Sequence, residues 1–252
     1  MGIPVDPAEQ EAIEKENRYY GDTVQGNFTD TYQNLTYKAV MTFRWVSQHC
    51  KGVRIILKMD DDVVLDVHRF FEEFWFPPPY QQEVIFCHMW KFAEVERVGK
   101  WGISTREYPH EFYPPYCSGF FVVIMPAIVE DIYEAAKATP FLWLDDVYIY
   151  GVVREDMHDV QIINLDEVAF REEHYLACNR AYGYRCKYWV SVLGETRKFV
   201  PTLMTLRADR LRVLDICHAE KSKGIHSAWS SVGSCYKALS QDNQSQAKHG
   251  YV

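Results

Sequence analysis

The chain lacks several features that would place it quickly. None of its seven cysteines form a CxxC pair, which argues against a zinc knuckle. It has no excess of positive charge. Lys and Arg number 27 against 35 Asp and Glu, a formal net charge of −8, and nonspecific nucleic-acid binding needs a basic surface. No apolar run approaches the roughly 20 residues of a membrane-spanning helix. The opening MGIPVDPAEQ does not read as a signal peptide. As written, the chain is expected to be soluble and to carry no targeting signal. No internal repeat or low-complexity linker divides it.

What is present fits a globular protein. The chain has 252 residues, 48% of them hydrophobic, enough for a sizeable core and against disorder. Aromatic residues reach 15%, with 17 Tyr and 7 Trp. Their flat faces suit sugar rings, cores and interfaces alike. The cysteines, Cys50, Cys87, Cys117, Cys178, Cys186, Cys217 and Cys235, are widely spread. That fits disulfides of a secretory protein or free core thiols. Cys178 and Cys186 are the nearest two and the simplest pair, with an expected Cα separation under about 7 Å. Glycosylation sequons stand at Asn27, Asn34 and Asn243, each weak evidence for the secretory route.

The order of elements points to an α/β architecture. VDPAEQEAIEKENRYYGD reads as a helix: Asp6 caps, Pro7 suits the first turn, Glu9 stands where a capping box wants a carboxylate, and Gly21 stops it. A second helix follows over YQNLTYKAVMTFRWVSQHC, with Tyr32, Leu35, Ala39, Phe43 and Val46 on one face. VRIILKM, residues 53–59, reads as a buried, central strand. DVHRFFEEFW is a helix ended by Pro77-Pro78-Pro79. EVIFCHMW and SGFFVVIM are strands, and Pro126 opens an amphipathic helix. A domain over residues 1–216 is expected, with an irregular, partly disordered tail over 217–252.

The chemistry concentrates in two acidic clusters. Asp60, Asp61 and Asp62 follow the apolar run and precede Val63-Val64-Leu65. In an extended segment Asp60 and Asp62 share one face. Adjacent carboxylates repel unless a positive charge compensates. A divalent cation held by oxygen ligands would do this, at the strand end where open α/β sheets bind ligands. Lys58 is the rival source of charge. Asp145 and Asp146 form the second pair, in TPFLWLDDVYIYG. One cluster can hold a cation while the other supplies a base, or Asp145 simply caps a helix. Between them REYPHEFYPPYCSGFF is stiffened by prolines and carries Tyr113 and Tyr116. It reads as the wall of a sugar site or a packed loop, and Gly119 lets a backbone approach something closely.

Taken in order, YGDTVQGNFTDTYQNLTYKAVMTFRWVSQHC, ILKMDDDVVLD, EYPHEFYPPYCSG and IYEAAKATPFLWLDDVYIYG resemble the β-1,3-galactosyltransferase family, glycosyltransferase family 31. The resemblance covers roughly residues 18–151. It implies an α/β, GT-A-like nucleotide-diphospho-sugar transferase fold with a mixed central sheet flanked by helices. It also implies an inverting enzyme that moves galactose or N-acetylglucosamine from a UDP donor to a glycan hydroxyl in a β-1,3 linkage. By similarity, Asp60, Asp61 and Asp62 form the DxD-type cofactor-binding motif, with Asp62 on the metal, Mn²⁺ or Mg²⁺. Asp146 is the base, and Tyr113, Tyr116 and Gly119 line the acceptor or donor wall. The acceptor is a glycan on a glycoprotein or glycolipid, in the Golgi lumen, with the membrane reached through an anchor. The chain departs from the pattern in two places. The family's N-terminal anchor, stem and first strand have no counterpart, so an N-terminal truncation is expected. The late stretch matching a metal-binding His, FVPTLMTLRADRL, has none, and His158 and His174 lie elsewhere. A catalytically impaired glycan-binding pseudoenzyme is the alternative.

Overall fold

The computed structural model describes residues 1–74, 83–169, 171–182 and 186–193. They fall into two compact units, the first built from Met1–Asp60 and Pro77–Leu165, the second from Asp61–Phe76 and the residues from Asp166 onward. The division falls between Asp60 and Asp61, inside the first acidic cluster. The expected boundary at residue 216, the late stretch at 199–211, the proline run at 77–79, Asn243, Cys217 and Cys235 all lie outside the described residues.

The first unit opens with α1, Pro7–Tyr20. It begins where Asp6 accepts the Ala8 N–H at 2.9 Å, and it ends at Gly21, whose φ of 66° needs a residue without a Cβ. A short 3₁₀ turn at Tyr32–Asn34 leads into α2, Leu35–His49. Phe43 is buried on α2, and Ala39, Val40 and Val46 pack beside it on the core. The buried Thr36 hydroxyl donates to the Leu142 carbonyl at 2.7 Å and fixes α2 to a distant loop.

The sheet of this unit has four strands in the order β1 (Ile56–Met59), β4 (Tyr116–Ile124), β3 (Val84–Trp90), β5 (Gln161–Asn164). β1 and β3 flank β4 in antiparallel fashion, and β5 runs parallel to β3. The sheet is therefore mixed, as expected, but its centre is not where the sequence placed it. Among the described residues β1 is an edge strand, and its residues are half-buried or exposed. β4 takes the central place instead. Phe121, Val122, Val123 and Ile124 are each at most 1% exposed, so both faces of that strand are covered. This is why its apolar run is continuous rather than alternating. Each such side chain contributes roughly 1.5–3 kcal/mol by leaving water.

α4 (Val129–Ala138) buries Val129, Ile132 and Ala136 against the same core. A disulfide between Cys87 on β3 and Cys117 on β4, with Cα atoms 5.5 Å apart, ties the two strands next to a bulge between Cys87 and Met89. The sequence offered no sign of this pair, because 30 residues separate its members.

The second unit holds a three-stranded sheet, β2 (Val63–Leu65), β7 (Val190–Val192), β6 (Val168–Ala169). Helix α3 (Val67–Glu73) starts at Asp66, whose carboxylate accepts the Arg69 N–H at 3.3 Å. Helix α5 (Glu172–Tyr182) carries Cys178. That residue is bonded to Cys186 with a Cα separation of 5.2 Å, as expected. Phe70, Phe74 and Trp189 form an aromatic cluster with centroids 5.0–6.1 Å apart. No helix among the described residues is long and apolar enough to cross a membrane.

Candidate active site

Asp145 and Asp146 stand where the loop after α4 enters a helix. Leu142 and Leu144 are buried in that loop and anchor it. Beyond the aspartates the helix adopts a π conformation over Val147–Val153. Val147, Tyr148, Ile149, Tyr150, Gly151 and Val153 are all buried, and Val152 is half-buried against the same core, so little of the segment meets solvent. Wide π turns inside helices are uncommon and concentrate at functional sites. A helix capped by Asp145 is one of the two readings the sequence leaves open. Capping by Asp145 alone was not the outcome, because both carboxylates take amide hydrogens at the helix start, where unpaired N–H groups need acceptors. Asp146 Oδ1 accepts the Val147 N–H at 2.8 Å, and the Gly119 N–H also reaches its carboxylate. Asp145 accepts the N–H groups of Asp145 and Asp146.

Gly119 lies on β4 directly beside this pair. A Cβ built on it would stand 3.1 Å from the Cβ of Asp146 and 3.7 Å from Lys58 Nζ. The close approach that the glycine allows is therefore to Asp146. Gly151 has the same role inside the helix, where a Cβ would meet Tyr116 Cβ at 3.2 Å and Pro114 Cγ at 3.3 Å. The proline-stiffened loop thus packs on the π segment.

Lys58 reaches the same place from β1. Its Nζ donates to Asp60 Oδ1 at 2.5 Å and to the Gly119 carbonyl. Positive charge beside Asp60 therefore comes from within the chain. Asp60 is half-buried, as is Asp62, whose carbonyl accepts the Leu193 N–H at 2.7 Å in the second unit. Asp61 is exposed in the turn between them.

The electrostatics of the pair follow from enclosure. Burial, with the neighbouring Asp145 charge next, pushes the Asp146 carboxyl up to about 6; its two amide hydrogen bonds and Lys58 pull the other way. Burial also raises Asp145, and Lys58 offsets part of that. Tyr150, fully enclosed, is pushed up by burial and then by Asp145, Asp146 and Asp60. Tyr116 is raised by burial and by Asp146. A carboxyl shifted into the neutral range is the kind of group that takes or gives a proton at physiological pH.

Tyr113 is 7% exposed and pushed up to about 12, chiefly by burial. Its hydroxyl is buried with no hydrogen-bond partner among the described residues. Its ring packs on Tyr108 and edge-on to Tyr116, with centroids 5.1 and 6.0 Å apart. The loop owes its shape to Arg97, which donates to the carbonyls of Ile103, Tyr108 and His110 at 3.2, 2.9 and 2.6 Å. Neither Arg97 nor Tyr150 was found by sequence reasoning. An isolated Arg in a loop and a Tyr in an apolar run carry no local signal.

Asn27 is exposed, whereas Asn34 donates its Nδ2 to the Thr29 carbonyl at 2.8 Å. His158 and His174 are both exposed. Among the described residues no group of three or more His, Cys, Asp or Glu side chains is placed to hold a metal ion. The donor set around the first cluster is nevertheless all carboxylate oxygen, the chemistry that Mn²⁺ and Mg²⁺ accept. Asp60 gives one oxygen to Lys58, while Asp61 and Asp62 give no side-chain oxygen to a hydrogen bond or ion pair among the described residues.

A sequence model of the galactosyltransferase family matches residues 2–166. The chain belongs to that family. The relatives it resembles include beta-1,3-galactosyltransferase 5 of Homo sapiens, 29% identical over 151 residues, 59% of this chain and 48% of that protein. The same enzyme of Gorilla gorilla gorilla is 29% identical over 151 residues, 59% of this chain and 50% of its own. UDP-GalNAc:beta-1,3-N-acetylgalactosaminyltransferase 1 of Sus scrofa is 31% identical over 166 residues, 61% of this chain and 48% of that protein. The chain spans about half the length of the curated relatives it matches. The mixed α/β sheet flanked by helices agrees with a glycosyltransferase domain.

Proposed function

We propose that the chain is the sugar-transferring portion of an inverting glycosyltransferase that passes a hexose or N-acetylhexosamine from a UDP donor to a glycan hydroxyl in a β-1,3 linkage. The observation that carries this reading is Asp146. It is a half-buried carboxylate at a helix start, pushed up to about 6, with its position fixed by the amides of Val147 and Gly119. An acceptor hydroxyl is a poor nucleophile until its proton is taken, and a base with this affinity can take it near neutral pH. One displacement at the anomeric carbon inverts its configuration, so no nucleophile from the protein is needed.

Asp62 is assigned to the cation, Mn²⁺ before Mg²⁺, and Asp60 and Asp61 to the donor nucleotide. A bound cation supplies stabilisation of the charge that grows on the departing diphosphate. Tyr113, Tyr116 and Gly119 are assigned to a wall beside Asp146. The relatives are named for galactose and for UDP-GalNAc, so these are the first donors to try. Two disulfides among the described residues fit an oxidising compartment, and the Golgi lumen is the assigned site of action. The test is transfer from UDP-galactose, UDP-GalNAc and UDP-GlcNAc to β-linked saccharide acceptors with Mn²⁺. Transfer lost in Asp146→Asn supports the reading. Transfer that survives it removes Asp146 as the base.

The second reading is a glycan-binding module without turnover. The Lys58–Asp60 pair favours it, because a lysine can balance some of the cluster's charge with no cation. Calorimetry separates the two. UDP binding that depends on Mn²⁺ favours the enzyme, and glycan binding indifferent to both favours the module.

A further inference from the structure

Lys58 sits where three segments of the first unit meet. It projects from β1, two residues before the acidic turn. Its amine bonds the Asp60 carboxylate at 2.5 Å and the carbonyl of Gly119 on β4. The same glycine places its N–H on Asp146, and a Cβ at Gly119 would be 3.1 Å from Asp146 Cβ. Gly119 is thus held by Lys58 through its oxygen and holds Asp146 through its nitrogen. The field of the Lys58 ammonium also reaches both Asp145 and Asp146.

The charge count around this point explains why a cation is needed. Asp60, Asp145 and Asp146 are three carboxylates within electrostatic reach of one another, through Asp145. Among the described residues, the other titratable groups that face Asp146 are tyrosines, Tyr113 and Tyr116 from the loop and β4 and Tyr150 from the π segment. These are neutral and bring no positive charge. Lys58 is the cation whose field is felt at both members of the second pair.

We propose that Lys58 is a positioning residue for the transfer reaction: it locks the end of β1 to Gly119 and thereby sets the place and charge of the Asp146 carboxylate. The inference rests on the reading of Asp146 as the base. Lys58 touches neither donor nor acceptor in this role, and acts through Gly119 and through its field. The arrangement also links the two acidic clusters. Asp60 competes with Asp145 and Asp146 for one ammonium group, so engagement of Asp60 by a bound nucleotide frees Lys58 toward the second pair.

The test uses the full chain with ¹³C-labelled aspartate, the Asp146 carboxyl signal being assigned by its loss in Asp146→Asn. In Lys58→Met, which keeps the stem and removes the charge, the titration midpoint of Asp146 is expected to move to higher pH. Lys58→Arg is expected to restore most of the original midpoint. In Asp60→Asn, which leaves Lys58 in place, the midpoint is expected to fall. This second variant decides the matter if Lys58→Met does not fold. Midpoints unchanged in every folded variant overturn the proposal. Transfer kinetics form a separate arm, where Lys58→Met is expected to lower kcat more than it changes the donor KM, with rescue by Lys58→Arg. If the midpoints move as expected but Asp146→Asn transfers normally, the coupling stands and the assignment of the base fails.

Discussion

The Cα of Gly119 and the Cβ of Asp146 are packed so closely that a methyl group on the glycine would lie 3.1 Å from that Cβ. Asp146 stands at the start of a helix whose following residues are buried, and its carboxylate holds the Val147 N–H. Gly119→Ala is therefore expected to cost about 1–3 kcal/mol of stability, as overpacking typically does, and to displace the carboxylate. Gly119→Val is expected to cost more. Denaturant midpoints check the first point. A Gly119→Ala protein as stable as the parent would show that the helix start has room to give.

Asp146→Asn is expected to lower transfer by about 10²–10⁴-fold, the usual worth of a general base. Asp145→Asn is expected to lower it less. In the parent, the rate is expected to rise through pH 6, where Asp146 ionises, and to level off above it. Loss of activity in Asp145→Asn with retention in Asp146→Asn would reverse the roles.

The same carboxyl makes a prediction about stability. Its folded value, about 6, lies above its ordinary value of 3.8. The folded state binds the proton more tightly than the unfolded one, so the ionised form is a burden to the fold. Stability from this group is present below its ordinary value and is lost as pH rises to about 6. Asp146→Asn keeps an oxygen for the Val147 N–H and has no charge to bury. It is expected to match the parent in Tm near pH 4 and to exceed it at pH 7. A gap that does not widen with pH would show that the charge is well tolerated where it is.

Cys87 and Cys117 join strands through a 30-residue separation. Replacing both with Ala is expected to remove about 2–4 kcal/mol. The same protein made in a reducing cytosol is expected to show a matching loss, recovered on oxidation. Urea unfolding of both preparations tests this.

Of the two sequons among the described residues, Asn27 is the better placed to carry a glycan. It is exposed, whereas Asn34 uses its amide on Thr29 and its sequon partner Thr36 is 1% exposed and bonded to Leu142. Secretion from a glycosylating host followed by glycopeptide mass spectrometry is expected to show higher occupancy at Asn27. Asn34→Gln is expected to destabilise the fold, and Asn27→Gln to leave it unchanged. Equal occupancy and equal tolerance would count against the distinction.

Local signals told the truth about local things. Asp6, Pro7 and Gly21 marked α1 because caps act through neighbours one to four residues away. The run SGFFVVIM became β4 because only a doubly covered strand can afford unbroken apolar residues. The order of strands was not legible. VRIILKM and SGFFVVIM both read as strands, and although Arg54 and Lys58 interrupt the first, which one lies centrally is decided by partners far along the chain, such as Ile124 against Ile56. The acidic pair was found from its apolar flanks. Its surroundings, Gly119, Lys58, Tyr150 and the Cys87–Cys117 bond, are contacts of long range, and no spacing rule announces them.

The π segment behind Asp146 has a mechanical meaning. A helix buried on one face can rock on the core, because its other face is free. Six of the seven residues of Val147–Val153 are buried and the seventh is half-buried, so it behaves as a post set in a solid footing, with the carboxylates at its tip. Such a group does not search for its proton. Whatever reacts there has to be carried to it and aligned by other regions of the protein, and stiffness in this one place moves the burden of motion to the loops and ligands around it.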